Sequence, residues 1–164
     1  MNTPPPRPSA TQDGFNIVLV EPEIAANVGN IARLCAATRS VLHLIHPLGF
    51  RLEDAAMRRA GMDYLDIATI VEHSSLHDCL SQQTRAWFFS TKATRLYWQA
   101  AFQKGDCLVF GRETKGLPEE LLRRKTDHAL TIPMTEPRAR SLNLATSTGI
   151  ALYEAIRQTK TSHP

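Results

Sequence analysis

The sequence predicts an α/β fold: a mostly parallel sheet with helices on both of its faces. Short apolar runs rich in β-branched residues recur along the chain, and amphipathic segments of helical length separate most of them. The 164 residues suit one domain, because a chain of this length buries a sizeable core without covalent staples.

Composition narrows the classes of function before any motif is considered. Hydrophobic residues make up 43% and charged residues 21%, close to the average of soluble globular proteins, which argues against repeats and wholesale disorder. No apolar run is long enough to span a bilayer. The three cysteines match no disulfide framework or zinc knuckle and indicate a reduced, cytoplasmic protein. The net charge of +3 permits a polyanionic partner without requiring one.

The elements follow one another in a regular order. Residues 1–13, rich in proline and small polar residues, are predicted to form a disordered tail, and a single domain is expected over residues 14–160. Strands are predicted at 15–20, 41–45, 67–71, 86–90, 107–110 and 129–132. Helices are predicted at 27–38, 53–60, 75–82, 118–124 and 142–159.

Ligands of parallel sheets gather at the carboxyl ends of the strands, so the loops that follow the strands are the informative segments. After the first strand, Asn27-Val28-Gly29-Asn30-Ile31-Ala32-Arg33 enters a helix. Asn30 and Arg33 are three residues apart, so their polar heads can converge on one ligand. The alternative is that Asn27 caps the helix and Arg33 lies on a solvated face. Residue types alone leave both readings open.

A second polar segment, Phe110-Gly111-Arg112-Glu113-Thr114-Lys115-Gly116-Leu117-Pro118, leaves an apolar strand and meets a proline suited to the first turn of a helix. Its two glycines allow a positive φ and a close backbone approach to a ligand. The segment lacks the G-K-[ST] ending of a phosphate-binding P-loop. Taken alone, it is better explained as an ordinary strand-to-helix connection.

A third segment begins at Ile132-Pro133-Met134, and Ser141 and Asn143 are candidate N-caps of the last helix. The small residues on one stripe of that helix would let another helix approach closely. The stripe is either a core face or partly a subunit interface, and it contains Leu142, Ala145, Gly149, Leu152, Tyr153 and Ile156.

Two groups of residues have the short spacings of metal ligands, but neither offers a closed set of four, so no metal site is predicted. They are His43 with His46, and His73 with His77 and Cys79.

Three patterns occur in order: N-x-G-N-x-x-R, F-G-x-E-x-x-G-L, and I-P-M followed by S-L-N-L. Together they resemble the motif set of the SPOUT class of RNA methyltransferases, over nearly all of residues 15–159. Within that class, the opening 17–24 and the segment 58–64 are most similar to the subfamily that methylates the ribose 2′-oxygen of the tRNA wobble nucleotide.

The resemblance implies a C-terminal trefoil knot over roughly residues 86–157, S-adenosylmethionine bound within the knot loops, and a homodimer in which two subunits complete each site. At matching positions it implies cofactor contacts from Phe89, Gly111, Ile132 and Ser141. It also implies catalytic roles for Arg33, Asn27, Glu113, Ser141 and Asn143. Because a guanidinium does not lose its proton in proteins, Arg33 is expected to grip a phosphate rather than act as a base.

The resemblance further implies that basic residues around the cleft contact the anticodon stem-loop of a tRNA, with no membrane and no metal involved. The implied RNA contacts are Arg33, Arg58, Arg59, Arg112, Lys115, Arg138, Arg140 and Tyr153. The expected reaction is 2′-O-methylation of a wobble cytidine or modified uridine, with leucine tRNAs as the expected substrates. Two alternatives stay open: methylation of a different tRNA or rRNA ribose, and a non-catalytic RNA-binding knot protein.

Overall fold

A computed structural model describes residues 14–83 and 85–160, so the tail predicted over residues 1–13 lies outside the described residues. The strands are β1 (Asn16–Val20), β2 (Val41–Ile45), β3 (Thr69–His73), β4 (Ala86–Phe89), β5 (Cys107–Phe110) and β6 (Ala129–Leu130). They form one six-stranded sheet in the order β3-β2-β1-β5-β4-β6. All pairings between these strands are parallel, which confirms the predicted mostly parallel sheet.

The helices occupy the predicted segments, with bounds that differ by no more than two residues. They are α1 (Ala25–Thr38), α2 (Ala55–Gly61), α3 (Leu76–Leu80), α4 (Glu119–Arg124) and α5 (Leu144–Thr159). Short 3-10 turns, which the sequence did not predict, occupy Met62–Asp66, Tyr97–Gln99 and Thr126–His128. In the described part of the chain, no helix is both long and apolar enough to cross a bilayer.

Both faces of the sheet are covered, because successive residues of the buried strands point to opposite sides. On one side, Ile17 and Leu19 of β1 join a core formed with α1, α2 and α5. On the other, Val18 and Val20 pack with residues of α3 and with side chains at the start of α4. The prediction of helices on both faces is therefore confirmed.

The apolar stripe predicted along α5 is divided between the core and the surface. Leu152 is fully buried, but Tyr153 is 57% exposed, and a Cβ added at Gly149 would meet no atom within 4 Å. Of the two alternatives, a single core face is wrong, because the helix turns the side with Gly149 and Tyr153 away from the sheet. The alternative of a partial subunit interface stays a prediction. The residues of α5 that are buried are Leu144, Thr148, Ala151, Leu152 and Ala155.

Candidate functional site: a cleft at the carboxyl edge of the sheet

A cleft of about 530 Å³ opens where β4, β5 and β6 end. Its volume falls within the range of roughly 300–1,000 Å³ that is usual for small-molecule sites. The loops after these strands form its walls, and the first turn of α1 closes one end. The structure brings the sequence-predicted cofactor residues together here, since the lining includes Phe89, Gly111, Ile132 and Ser141.

Two aromatic rings form an apolar floor in the cleft. Phe89 ends β4 and Phe110 ends β5, and their rings are stacked with centroids 4.7 Å apart and planes inclined by 16°. Both side chains are buried. The rim above them is polar, so the cleft combines an apolar surface with a few converging polar groups, as ligand sites do.

The loop after β5 folds back on itself in a tight turn. The amide of Gly116 donates to the carbonyl of Arg112 at 2.9 Å, and Gly116 has a φ of +66°. A Cβ at Gly111 would lie 2.1 Å from the carbonyl carbon of Gly116. The close approach at Gly111 is therefore to the loop's own backbone, which must pass there to form the cleft wall.

Glu113 joins this loop to the start of α1. Its carboxylate accepts hydrogen bonds from the backbone amides of Glu23 at 2.7 Å and Ile24 at 2.9 Å, and from Nδ2 of Asn27 at 3.2 Å. The N-cap of α1 is Ile24, whose side chain provides no cap, so the carboxylate satisfies donors that the helix leaves unpaired. The alternative in which Asn27 caps α1 is wrong: Asn27 lies in the first turn and is 6% exposed.

Asn143 connects the third polar segment to the same network. Its Nδ2 donates to Oδ1 of Asn27 at 3.0 Å. Its own Oδ1 accepts from the amides of Ala145 and Thr146, so Asn143 is the N-cap of α5, as predicted. Ser141 is exposed and lines the cleft, but it is not the cap. One hydrogen-bonded chain, Glu113–Asn27–Asn143, thus links all three sequence motifs.

Two acidic residues at this edge, Glu21 and Glu23, belong to none of the three predicted polar segments. The carboxylate of Glu23 accepts from the amide of Thr114 at 3.0 Å and from its hydroxyl. The carboxylate of Glu21 forms an ion pair with Arg112. The available signal was their position directly after β1, at the edge where the loop after β5 also emerges.

The predicted RNA-contacting residues divide into two groups in the structure. Arg112, Lys115 and Arg140 line the cleft. The others lie outside the lining: Arg138 forms an exposed ion pair with Glu136. The remaining residues of this group are Arg33 on α1, Arg58 and Arg59 on α2, and Tyr153 on α5, and all of them are exposed.

A buried polar group lies elsewhere, between β2, β3 and α3. The nitrogens of His43 and His73 and the sulfur of Cys79 are within 4.8 Å of one another. Asn16 donates through Nδ2 to the carbonyl of Gly105, so its Oδ1 faces Nε2 of His43 at 2.9 Å and accepts a hydrogen bond from that nitrogen. Nδ1 of His43 then accepts from Nε2 of His73 at 2.9 Å. These hydrogen bonds use both nitrogens of His43 and account for the grouping.

The protonation of His43 is unfavourable in this group. Burial and the neighbouring His73 lower the pKa of His43 to about 4. The hydrogen-bond arrangement acts in the same direction, since a proton on Nδ1 would face the N–H of His73. His43 is therefore a neutral structural link between β1, β2 and β3.

A parallel sheet with helices on both faces, and a polar-rimmed cleft at its carboxyl edge, defines an α/β protein that binds a small ligand at its strand ends. The SpoU rRNA methylase family matches residues 14–153, and the chain belongs to that family. A tRNA (cytidine(34)-2′-O)-methyltransferase from Saccharophagus degradans is 49% identical over 88% of this chain and 95% of its own length.

Solved structures show the same likeness. A structure from work on the 2-OH methylation of C/U34 on tRNA matches this chain with a TM-score of 0.84 and 43% sequence identity. The match covers 90% of this chain and 97% of the chain in that structure. An AdoMet-bound rRNA methyltransferase from Sinorhizobium meliloti has a TM-score of 0.79 at 25% identity, covering 91% of this chain and 58% of its own.

Proposed function

We propose that this chain transfers a methyl group from S-adenosylmethionine to the ribose 2′-oxygen of the tRNA wobble nucleotide, nucleotide 34. The observation that carries the proposal is the match, at 49% identity and nearly full length, to a relative with that activity. The hydrogen-bonded chain Glu113–Asn27–Asn143 supports it, because it joins the residues that the motifs single out at one cleft.

The cleft suits S-adenosylmethionine in size and chemistry. Its volume of about 530 Å³ can hold a small molecule. The stacked rings of Phe89 and Phe110 offer an apolar surface, and the tight turns beside them expose backbone hydrogen-bonding groups. Bound there, the cofactor supplies an electrophilic methyl group on a sulfonium. Phe89, Gly111, Ile132 and Ser141 are the residues that would hold it.

The residues of the chain must align a poor nucleophile, the ribose 2′-hydroxyl, and help to remove its proton. The hydrogen bonds among Glu113, Asn27 and Asn143 fix the positions of the loops that form the cleft walls relative to one another. Arg33 grips the phosphate beside the target ribose through two parallel N–H groups, which fixes the angle of attack. Ser141 lines the cleft, where its hydroxyl would face the bound cofactor.

We propose that basic residues contact the RNA, three of which, Arg112, Lys115 and Arg140, line the cleft. Phosphate contacts set the affinity and its salt dependence, and they orient the anticodon loop without reading its sequence. Single-stranded loops expose their riboses, so a wobble nucleotide is within reach. The proposed contacts are Arg33, Arg58, Arg59, Arg112, Lys115, Arg138, Arg140 and Tyr153.

We propose that the enzyme is a homodimer in which each site draws on both subunits. Arg33 is not among the residues that line the cleft of its own chain, within the described ranges. The exposed side of α5 at Gly149 and Tyr153 leaves room for another helix. In this proposal, a second copy packs on that side of α5 and supplies its Arg33 to the cleft.

We also propose that residues 14–160 form one methyltransferase domain whose chain is knotted over roughly residues 86–157. Strand β6 pairs with β4 at the sheet edge, whereas the start of α5 bonds back to Asn27 of α1. These two contacts support a path in which the chain between them returns past the loops after β4 and β5. Tracing an experimental density map through residues 86–157 tests this path.

We propose a cytoplasmic location as well. The cysteines Cys35, Cys79 and Cys107 are buried and free, as is usual for proteins in the reducing cytoplasm.

The proposed reaction is tested with purified protein, labelled S-adenosylmethionine and a leucine tRNA transcript that lacks the modification. We expect label on nucleotide 34, located by mass spectrometry of nuclease fragments. The matched control is the same tRNA with a 2′-deoxyribose at nucleotide 34, which removes only the acceptor oxygen.

The outcomes separate the alternatives. Label that persists on the 2′-deoxy tRNA indicates that the enzyme methylates a nucleotide other than 34. Cofactor binding without transfer to any tRNA or rRNA indicates a non-catalytic RNA-binding protein, and both results contradict the proposal.

A further inference from the structure

Two side chains outside the cleft hold the guanidinium of Arg33. Its central carbon lies 5.0 Å from the centroid of the Tyr64 ring. Its Nη1 atom donates to Sδ of Met62 at 3.3 Å. Both partners belong to the 3-10 turn 62–66, which directly follows α2. A long exposed side chain otherwise samples many rotamers, so two contacts to one short turn restrict where its charge lies.

The backbone around this turn is closely packed against α1. A Cβ at Gly29 of α1 would meet the carbonyl oxygen of Met57 in α2 at 2.3 Å. Met62, the residue directly after α2, has a φ of 51° and a ψ of −145°, a backbone conformation that favours glycine. Met62 is also 55% exposed. Burial of Met62 therefore does not order the turn. Such a conformation persists only where the surrounding structure imposes it.

These contacts leave the charge of Arg33 available to a ligand. Arg112 is paired with Glu21, and Arg138 with Glu136. In residues 14–83 and 85–160, no carboxylate lies within ion-pair distance of Arg33, whose partners are a ring and a sulfur. An aromatic ring attracts a cation without neutralising it, so an arginine held in this way still binds phosphate.

We infer that Tyr64 is a positioning residue: its ring holds the Arg33 guanidinium in the orientation that grips the phosphate beside the target ribose. The inference rests on the proposed function. Tyr64 is not among the residues that line the cofactor cleft, so its effect falls on methyl transfer and not on cofactor binding.

The kinetic test compares Tyr64→Leu, which removes the ring, with Tyr64→Phe, which keeps the ring and removes the hydroxyl. At saturating tRNA, we expect Tyr64→Leu to lower kcat about fivefold to thirtyfold and Tyr64→Phe to stay within about twofold. Calorimetry should give the same Kd for S-adenosylmethionine in both variants. Loss of kcat by both variants, in proportion to a fall in thermal midpoint, would indicate a merely structural role and overturn the inference.

A spectroscopic readout does not depend on turnover. The Nε–H resonance of Arg33, assigned by its loss in Arg33→Lys, carries a ring-current shift from Tyr64. We expect the shift to persist in Tyr64→Phe and to vanish in Tyr64→Leu. An unchanged resonance in Tyr64→Leu contradicts the inference. A wild-type protein that methylates no tRNA contradicts the proposed function, while the resonance still decides whether Tyr64 orders Arg33.

Discussion

At the scale of single residues, Glu113 connects parts of the chain that are distant in sequence. One carboxylate accepts from two backbone amides at the start of α1 and from the side chain of Asn27. A negative charge at a helix N-terminus is also favoured by the helix dipole. Glu113 therefore ties the loop after β5 to α1 and, through Asn27, to the N-cap of α5.

Replacing Glu113 with glutamine tests this role. Glu113→Gln keeps the shape but turns one oxygen into an N–H donor, which then faces the amide of Glu23 or Ile24. Leaving a partly buried donor without an acceptor costs about 1–3 kcal/mol. We expect urea denaturation to show a loss of that size and calorimetry to show weaker S-adenosylmethionine binding.

The control for this variant is Glu120→Gln, because Glu120 lies on the exposed surface of α4 and pairs with its helical neighbours Arg123 and Arg124. It should change the free energy of unfolding by less than about 0.5 kcal/mol. Equal effects from the two variants would refute the role assigned to Glu113.

Arg33 is expected to act on transfer alone. Arg33→Ala removes the two N–H groups proposed to align the phosphate and lowers kcat by about a hundredfold or more, as the loss of a group that stabilises a transition state does. The cofactor Kd should be nearly unchanged, because the proposed partner of Arg33 is the phosphate beside the target ribose and not the cofactor. Arg33→Lys keeps the positive charge but lacks the two parallel N–H groups, so its kcat should lie between those of the wild type and Arg33→Ala. A collapse of cofactor binding in Arg33→Ala would give Arg33 a different role.

At the scale of elements, Gly29 sets how closely α2 approaches α1. A Cβ there would lie 2.3 Å from the carbonyl oxygen of Met57, a backbone atom that can yield only if α2 moves. We expect Gly29→Ala to lower the free energy of unfolding by about 1–3 kcal/mol, as overpacking does, and to lower kcat by displacing the turn that carries Tyr64. Denaturation and kinetics on one preparation measure both effects.

Gly149→Ala is the matched control for Gly29→Ala. Both glycines lie inside helices, but a Cβ at Gly149 meets no atom within 4 Å. Because Gly149 also lies on the side of α5 proposed to face the partner, stability is compared on the dissociated subunit. There the helix propensity of alanine should raise the free energy of unfolding by up to about 1 kcal/mol. If both substitutions stabilised the protein, the close packing of α1 against α2 at Gly29 would be contradicted.

The hydrogen-bonded link between β1, β2 and β3 predicts a pH dependence of stability. The pKa of His43 is about 4 in the folded protein and ordinarily 6.5, so the unfolded chain binds a proton that the folded protein does not. The stabilisation from keeping His43 neutral is thus complete above pH 6.5 and is lost as the pH falls towards 4, by up to about 3 kcal/mol.

Urea denaturation between pH 4 and pH 7 measures this loss. His43→Gln, whose amide does not titrate, should flatten the dependence. His77→Gln, at an exposed position on α3, should leave it unchanged. A wild-type curve no steeper than that of His43→Gln would contradict the prediction.

The sequence predicts elements better than contacts, and the reason is the range of the interactions. The strand β5 and the helix α1 follow from local apolar patterns, and their bounds fall close to those predicted. The contacts of Glu113 with α1 and of Arg33 with Tyr64 depend on how separate segments approach one another. Residue spacing carries no such information. On α5, a single core face is wrong because part of the stripe, including Tyr153, lies on a side that this chain alone does not bury. That spacing cannot distinguish a core face from a subunit interface.

At the scale of the molecule, the sheet order explains where the end of the cleft beside α1 lies. The chain builds β1, β2 and β3 towards one edge and then places β5, β4 and β6 on the other side of β1. In open parallel sheets, ligands bind near the point where the strand order reverses. The loops after β1 and β5 meet at this point, and Glu113 bonds across it to Glu23.

The proposed homodimer gives the last prediction. Gly149→Arg adds a long charged side chain where the described chain has no atom within 4 Å of a Cβ, so the subunit should still fold. In a dimer that packs on this side of α5, the side chain would separate the subunits. We expect sedimentation to show a dimer for wild type and about half that mass for Gly149→Arg, with methyl transfer lost because the partner's Arg33 is withdrawn. The control Gln82→Arg, at an exposed position beyond α3, should remain dimeric and active. A wild-type protein that sediments as a monomer while transferring methyl groups would show that one chain suffices for the site.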